Sequence, residues 1–243
     1  MFASNIDPER VAAIIVEPVQ GEGGFNIAPY GWLRALRAIC DKHGILLISD
    51  EIQAGMGRTG TMFGIEHAGV IPDLVTMAKG LAGGFPLSAV TGRAEIVDAP
   101  LVGGLGGTYA GNPIAVAAAN AVLKVIKDED LCARATDIGN RIRPFLENLA
   151  TRQGMEPIGN VRGLGAMNAF ELVRNRATND GDAPLTNAIV AEAEARGLIL
   201  LSCGTRANVI RLLPPLTIPM AQLEEALVIL EASIEGAIQK TAA

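Results

Sequence analysis

The sequence predicts an α/β fold, with a parallel sheet and its covering helices in the first half and a smaller α+β part in the second. Three observations carry this. Apolar runs of strand length over residues 12–16, 45–49, 74–78 and 87–91 are nearly free of polar residues, as strands buried on both faces require. Between the first two, Trp32, Leu33, Leu36, Ile39 and Cys40 recur at helical spacing and Gly44 stands where such a helix stops, which completes a βαβ unit. Two runs end on charge, Asp50-Glu51 after the second and Lys79 after the third, at the sheet edge where α/β folds bind ligands.

The later elements follow from the same patterns. Residues 113–126 read as an Ala-rich helix opened by Pro113, a position where the missing N–H costs nothing. After a break near Asp128 a second helix spans residues 131–150. Beyond it the order changes to a Gly-rich strand over 161–172, a helix over 188–196, strands over 198–202 and 209–213, and an apolar-periodic helix over 220–234. The polar stretch 174–182 reads as a surface loop. The predicted organisation is a partial large parallel-sheet domain over 1–126, a connecting helix over 127–150 and a small α+β domain over 151–243.

Composition narrows the function. With 243 residues, 49% of them apolar, the chain buries one large core or two modest ones. The formal charge of -6 comes without a basic block or an Arg/aromatic stripe, which argues against nucleic acid and anionic membrane as partners. No apolar stretch reaches the length of a membrane span and the first residues lack a signal peptide's basic and apolar regions, so a cytoplasmic location is expected. Cys40, Cys132 and Cys203 are odd in number and set in apolar patterns, so they read as buried thiols. With only His43 and His67, a zinc site or a Ser/His/Asp triad has little to work with.

An amine and a carboxylate at neighbouring strand ends suit Schiff-base chemistry. Taken singly, Lys79 would read as a surface lysine and Asp50 as a helix N-cap. Their surroundings are more specific: Glu17-Pro18-Val19-Gln20-Gly21-Glu22-Gly23-Gly24; Asp50-Glu51-Ile52-Gln53 followed by Gly55-Met56-Gly57-Arg58-Thr59-Gly60; Lys79-Gly80-Leu81-Ala82-Gly83-Gly84-Phe85-Pro86-Leu87; and Gly103-Gly104-Leu105-Gly106-Gly107-Thr108-Tyr109-Ala110-Gly111-Asn112-Pro113. Together they resemble the class III pyridoxal-phosphate aminotransferases of ornithine/4-aminobutyrate type, whose fold is the type I, aspartate aminotransferase-like one.

The resemblance implies pyridoxal 5'-phosphate as cofactor and a role for each matching residue. Lys79 would condense with the cofactor aldehyde and later carry the proton. Asp50 would hold the pyridine nitrogen protonated, so that the ring acts as an electron sink. Gln53 would donate to the phenolic oxygen, and Arg58 would order its loop. Thr108 would bind the phosphate in the neighbouring subunit of a homodimer with a shared active site. Glu22 and Arg211 would form a pair that stays closed for the amine donor and opens so that the guanidinium takes the α-carboxylate of glutamate or 2-oxoglutarate. Residues 198–204 and 208–211 resemble the 4-aminobutyrate enzymes more than the acetylornithine ones. Transamination of 4-aminobutyrate with 2-oxoglutarate, giving succinate semialdehyde and glutamate, is therefore the expected activity, with ornithine, acetylornithine or 5-aminovalerate as alternative donors.

The resemblance covers essentially the whole chain but not the whole family pattern. Members carry a long N-terminal portion with a further phosphate-binding turn, the aromatic that stacks on the ring and an arginine for the ω-amino acid's carboxylate. The chain is therefore expected to be a fragment, a truncated product or one piece of a split protein, and the alternative to an active aminotransferase is a non-catalytic module, inactive alone or completed by another chain.

Overall fold

The computed structural model describes Phe2 and residues 5–242, and the chain divides into two compact units. The first comprises residues up to Val19 and Ala28–Leu131; the second comprises Gln20–Ile27 and the residues from Cys132 onward.

The first unit is built on a four-stranded sheet in the order β1-β2-β3-β4, formed by Ala13–Val16, Leu46–Asp50, Leu74–Met77 and Ala89–Gly92. The first three strands run parallel and β4 returns antiparallel. Helix α1, Tyr30–His43, supplies the crossover from β1 to the parallel β2. It stops at Gly44, whose left-handed φ of 66° lets its N–H reach back to the Cys40 carbonyl. Leu33 and Cys40 of α1 pack with Leu47, Ile65 and Val70, and Ile14 and Val16 close on the same cluster.

The sequence expectation of strands buried on both faces holds for one face only. Ile14 and Leu47 lie on the covered face, whereas Ile15 and Val90 on the other are 59% and 58% exposed. A continuous apolar run does not distinguish a strand with two covers from one with a single cover, because only the covering elements differ. Asp73, just before β3, ties the covered face together: its carboxylate accepts from Leu47 N–H at 2.7 Å, Arg37 at 2.7 Å and Arg93 at 2.9 Å. After β4 come the short α2, Ala94–Val97, a wholly exposed segment over residues 98–112, and α3, Pro113–Asp128. Asn112 caps α3 by accepting from Ile114 N–H, and Pro113 opens it.

The second unit packs α4 (Leu131–Leu149), α5 (Ala183–Ala195) and α6 (Met220–Ala242) with an antiparallel sheet. Its order is β5-β6-β9-β8, from Ile158–Leu164, Met167–Asn175, Val209–Leu212 and Leu201–Cys203, with the two-residue β7, Asp180–Gly181, beside β6. Ile138, Ile142, Leu146, Ile158, Met167, Phe170, Leu230 and Ile234 are fully buried.

The single strand expected over residues 161–172 is instead the β5–β6 hairpin. Leu164 pairs with Met167, so Gly165-Ala166 is a two-residue turn, and Gly165 adopts the φ of 56° that such a turn demands. The helix expected from residue 188 starts earlier, at Ala183, because Asp182 caps it through Leu185 N–H and Pro184 occupies its first turn. The strand expected over 198–202 begins only at Leu201.

Helix α4 meets this hairpin at Gly139, where an added Cβ would stand 2.1 Å from the Gly165 carbonyl oxygen. Backbone, not a flexible side chain, would have to move. Gly139→Ala is expected to destabilise the second unit by about 1–3 kcal/mol, read as a lower urea midpoint by far-ultraviolet circular dichroism; an unchanged midpoint would mean that helix and hairpin are free to separate.

Candidate active site

The charged residues predicted at the sheet edge are delivered by adjacent parallel strands. Asp50 ends β2, half-buried, in register with Thr76 of β3, and Glu51 N–H extends the ladder to the Thr76 carbonyl at 3.0 Å. One Asp50 oxygen accepts Ile52 N–H at 3.0 Å, which fixes the carboxylate and leaves its other oxygen for a further donor. Lys79 follows Thr76 by three positions and opens a 3₁₀ turn over Lys79–Ala82 that Gly83 closes, its side chain exposed. Its φ of 47° is left-handed, a conformation that costs a non-glycine residue roughly 1–2 kcal/mol. That conformation turns the chain sharply at the strand end, so the exposed Lys79 side chain leaves the backbone at the C-terminal edge. Gln53 is half-buried in the turn after β2.

This edge fits the ring end of pyridoxal phosphate. The Thr76 hydroxyl oxygen is buried without a hydrogen-bond partner, on the same sheet face as Asp50. A polar group bound over that face would satisfy it. The donor set is of the right kind: a carboxylate for a protonated ring nitrogen, an amide for a phenolic oxygen and an amine for an aldehyde. Thr108 lies in the exposed segment, and among the described residues no hydrogen bond joins it to Asp50, Gln53 or Lys79. The same residues hold no cluster suited to a metal ion, and no described helix is long and apolar enough to cross a membrane.

Glu51, which the sequence reading left without a role, is the anchor of the loop carrying Gln53 and Arg58. It is 1% exposed and accepts from Ser49 Oγ at 2.9 Å, Ile65 N–H at 2.9 Å and Gly64 N–H at 2.8 Å. Burial pushes its carboxyl above 4.5, and the three donors only partly restrain the rise. Arg58 in the same loop is lowered to about 10 by burial. The signal for Glu51 was present in sequence only as its place in the Asp-Glu-Ile-Gln motif, since its partners lie 13 and 14 residues on.

Glu22 and Arg211 meet within the second unit. Arg211 on β9 donates to Glu22 Oε1 at 2.5 Å across 189 positions of sequence. The Arg211 side chain is 14% exposed and that of Glu22 is 70% exposed, so the guanidinium is built in and the carboxylate reaches it from solvent. Such a pair exchanges its carboxylate readily, because the acid loses little on returning to water. Cys203, close enough to feel both charges, is pushed up by burial, which outweighs the pull of Arg211.

These placements can be set beside known proteins. Over 239 residues the chain is 54% identical to the 4-aminobutyrate aminotransferase of Escherichia coli K12, which takes in 98% of this chain and 56% of that one. It is equally 54% identical, over 230 residues, to the 5-aminovalerate aminotransferase of Pseudomonas aeruginosa, covering 95% and 54%. Among solved structures, a transaminase from the marine bacterium Virgibacillus superposes with a TM-score of 0.89 at 34% identity, over 97% of this chain and 55% of that one. An ornithine aminotransferase from Toxoplasma gondii, described with partial occupancy of PLP at its active site, gives 0.87 at 35%, over 98% and 54%. The chain thus spans about half the length of the curated relatives it matches, and its α/β fold is that of the type I transferases expected from the sequence. Residues 3–234 match the family model Aminotransferase class-III, and the chain belongs to that family.

Proposed function

We propose that this chain carries the lysine, the ring-nitrogen carboxylate and the carboxylate-binding arginine of a pyridoxal-phosphate aminotransferase acting on 4-aminobutyrate and 2-oxoglutarate. The observation that supports it best is the pairing of Asp50 with Thr76 at adjacent strand ends, which sets Lys79 and Asp50 on one sheet edge. When bound, the cofactor supplies an aldehyde to capture the amine and a protonated ring to draw electrons from the substrate carbon. The protein's part is positional. Asp50 would hold the ring nitrogen's proton, Thr76 and Gln53 would offer polar partners to the ring, and Lys79 would supply the amine that anchors the cofactor and can carry a proton at the substrate carbon. Arg211 takes the substrate α-carboxylate when Glu22 withdraws and is neutralised by Glu22 when the donor brings none.

The equal identity to a 5-aminovalerate enzyme supports a second reading, in which the longer ω-amino acid is the donor. A homodimer belongs to the same proposal: Leu101, Val102, Leu105 and Tyr109 around Thr108 are each at least three-quarters exposed, the apolar surface that a second copy would bury. Incubation with pyridoxal phosphate and borohydride, followed by intact mass and peptide mapping, is expected to give one adduct, on Lys79. Scattered labelling of surface lysines would refute the proposal for this chain and favour an inactive module completed by another polypeptide. A panel of 4-aminobutyrate, 5-aminovalerate and ornithine then separates the donors.

A further inference from the structure

The turn that carries Glu22 is held in place by a residue outside the pair. Residues 20–27 fold back on themselves through Phe25 N–H to the Gln20 carbonyl at 2.8 Å and Gln20 N–H to the Asn26 carbonyl at 2.9 Å. Phe25 is fully buried at a φ of 57°, so this turn is strained and must be fastened to what lies beneath it. Two bonds from the second unit's sheet do this. Gly204 N–H donates to the Glu22 carbonyl at 2.9 Å, and Arg162 Nε donates to the Gly24 carbonyl at 2.8 Å.

Arg162 is itself tightly held. Its NH1 reaches Glu171 Oε1 at 2.8 Å and Asn160 Oδ1 at 2.9 Å, and the Arg162 and Glu171 side chains are 13% and 18% exposed. The sheet register shows why this matters for the pair. Arg162 of β5 stands opposite Ala169 of β6, and Ala169 opposite Arg211 of β9, so the two arginines share one face with a small residue between them. Glu171 and Val209, opposite each other two positions along, lie on that face too. Gly24 sits over it: a Cβ there would be 3.2 Å from Arg162 and 3.4 Å from Val209. The turn therefore spans two guanidiniums. Arg162 grips its main chain, and Arg211 grips its one acidic side chain.

The two grips differ in permanence. The Arg162 bond to Gly24 survives any swing of the Glu22 side chain, whereas the Glu22–Arg211 bond is broken by that swing. We infer that Arg162 is the positioning residue of the Glu22–Arg211 pair: it keeps Glu22 tethered within reach of Arg211, and so sets how strongly Glu22 competes with a substrate carboxylate for that guanidinium. The physical basis is local concentration, since a tethered carboxylate re-closes without paying for encounter and a loosened one does not. The inference rests on the reading of Arg211 as the carboxylate-binding residue only for its consequence in substrate choice; the tether itself is a matter of geometry.

Labelling with phenylglyoxal, with peptide mapping, reads the tether directly in the full chain. Arg162→Gln is expected to speed modification of Arg211 by about two- to fivefold, the closed-to-open ratio that an exposed ion pair supports. Glu22→Gln should do the same, and the double variant should be no faster than either. Arg176, which donates to the Ile158, Ala150 and Met155 carbonyls in the same unit, is the internal standard: its labelling should not change. Arg162→Lys keeps the charge beside Glu171 and should fall between wild type and Arg162→Gln; it is the variant to read if Arg162→Gln does not fold. Unchanged Arg211 labelling in the Arg162 variants, or an additive double variant, would overturn the inference. Separately, 2-oxoglutarate should protect Arg211 in the wild type; failure of protection would sink the carboxylate-binding role while the labelling rates still decide the tether.

Discussion

Asp73→Ala is expected to destabilise the first unit by about 3–5 kcal/mol, the usual cost of removing one partner from a buried charge network. Asp73 is 5% exposed, and its two oxygens receive two guanidiniums and the N–H of Leu47, itself fully buried. The substitution strands the buried Leu47 N–H and leaves Arg37, 18% exposed, with Asp41 as its one partner among the described residues, whereas Arg93, 55% exposed, keeps Glu95 and water. Asp73→Asn keeps an acceptor for Leu47 and should lose less. The only tryptophan, Trp32, lies on α1 of this unit, so its fluorescence in urea reports the effect without interference from the second unit. Burial alone would push the Asp73 carboxyl up, but Leu47 N–H and the two arginines outweigh it and hold the carboxyl below 3.8. Its contribution is thus present above that value and lost as pH falls through the depressed one. The wild type should show this acid limb and Asp73→Ala should lack it; equal midpoints for the two would mean that the network is screened by solvent.

Glu51→Ala should cost the same unit about 3 kcal/mol, because it leaves two buried backbone N–H groups and the Ser49 hydroxyl unsatisfied at roughly 1–3 kcal/mol each, with partial relaxation. Its pH signature is opposite to that of Asp73. The folded-state value is raised above 4.5, so the protonated form is favoured by folding; the contribution of this group is full below 4.5 and declines as pH rises through the raised value. Glu51→Gln removes that decline, since it cannot ionise, while retaining one acceptor for the loop. Trp32 fluorescence in urea across pH 4 to 8 tests this. A decline of equal slope in Glu51→Gln would assign the titration to another group.

What the sequence disclosed, and what it withheld, divides by the range of the interactions. Helix α1 and its stop at Gly44, the start of α3 at Pro113 and the strands ending at Asp50 and before Lys79 are set by local spacing and capping, and were legible. The β5–β6 hairpin was not, because Gly165 is one glycine in a run of Gly163-Leu164-Gly165 and only strand pairing marks it as the turn. The open face of the first sheet was hidden for a related reason: exposure of Ile15 and Val90 depends on what covers them, not on the strand. Lys79, Asp50 and Gln53 are proposed from motif and resemblance together, and local strand ends account for their placement. The contacts of Glu51 and Arg162 depend on partners distant in sequence, the unpartnered burial of the Thr76 hydroxyl shows only in the folded chain, and Glu22 with Arg211 was visible only through resemblance to a family.

Gln20–Ile27 belong to the second unit although both flanks belong to the first. The backbone is therefore stitched between the units at three joints, after Val19, after Ile27 and after Leu131, and neither unit is a contiguous cassette. A fragment cut at Cys132 would lack the Glu22 turn, leaving Gly204 N–H and Arg211 without the groups they hold and Arg162, among the described residues, with only Glu171 and Asn160. In inheritance as in engineering, a graft of the C-terminal unit would move the arginine and leave its glutamate behind, so this ion pair passes between proteins only when both segments travel together.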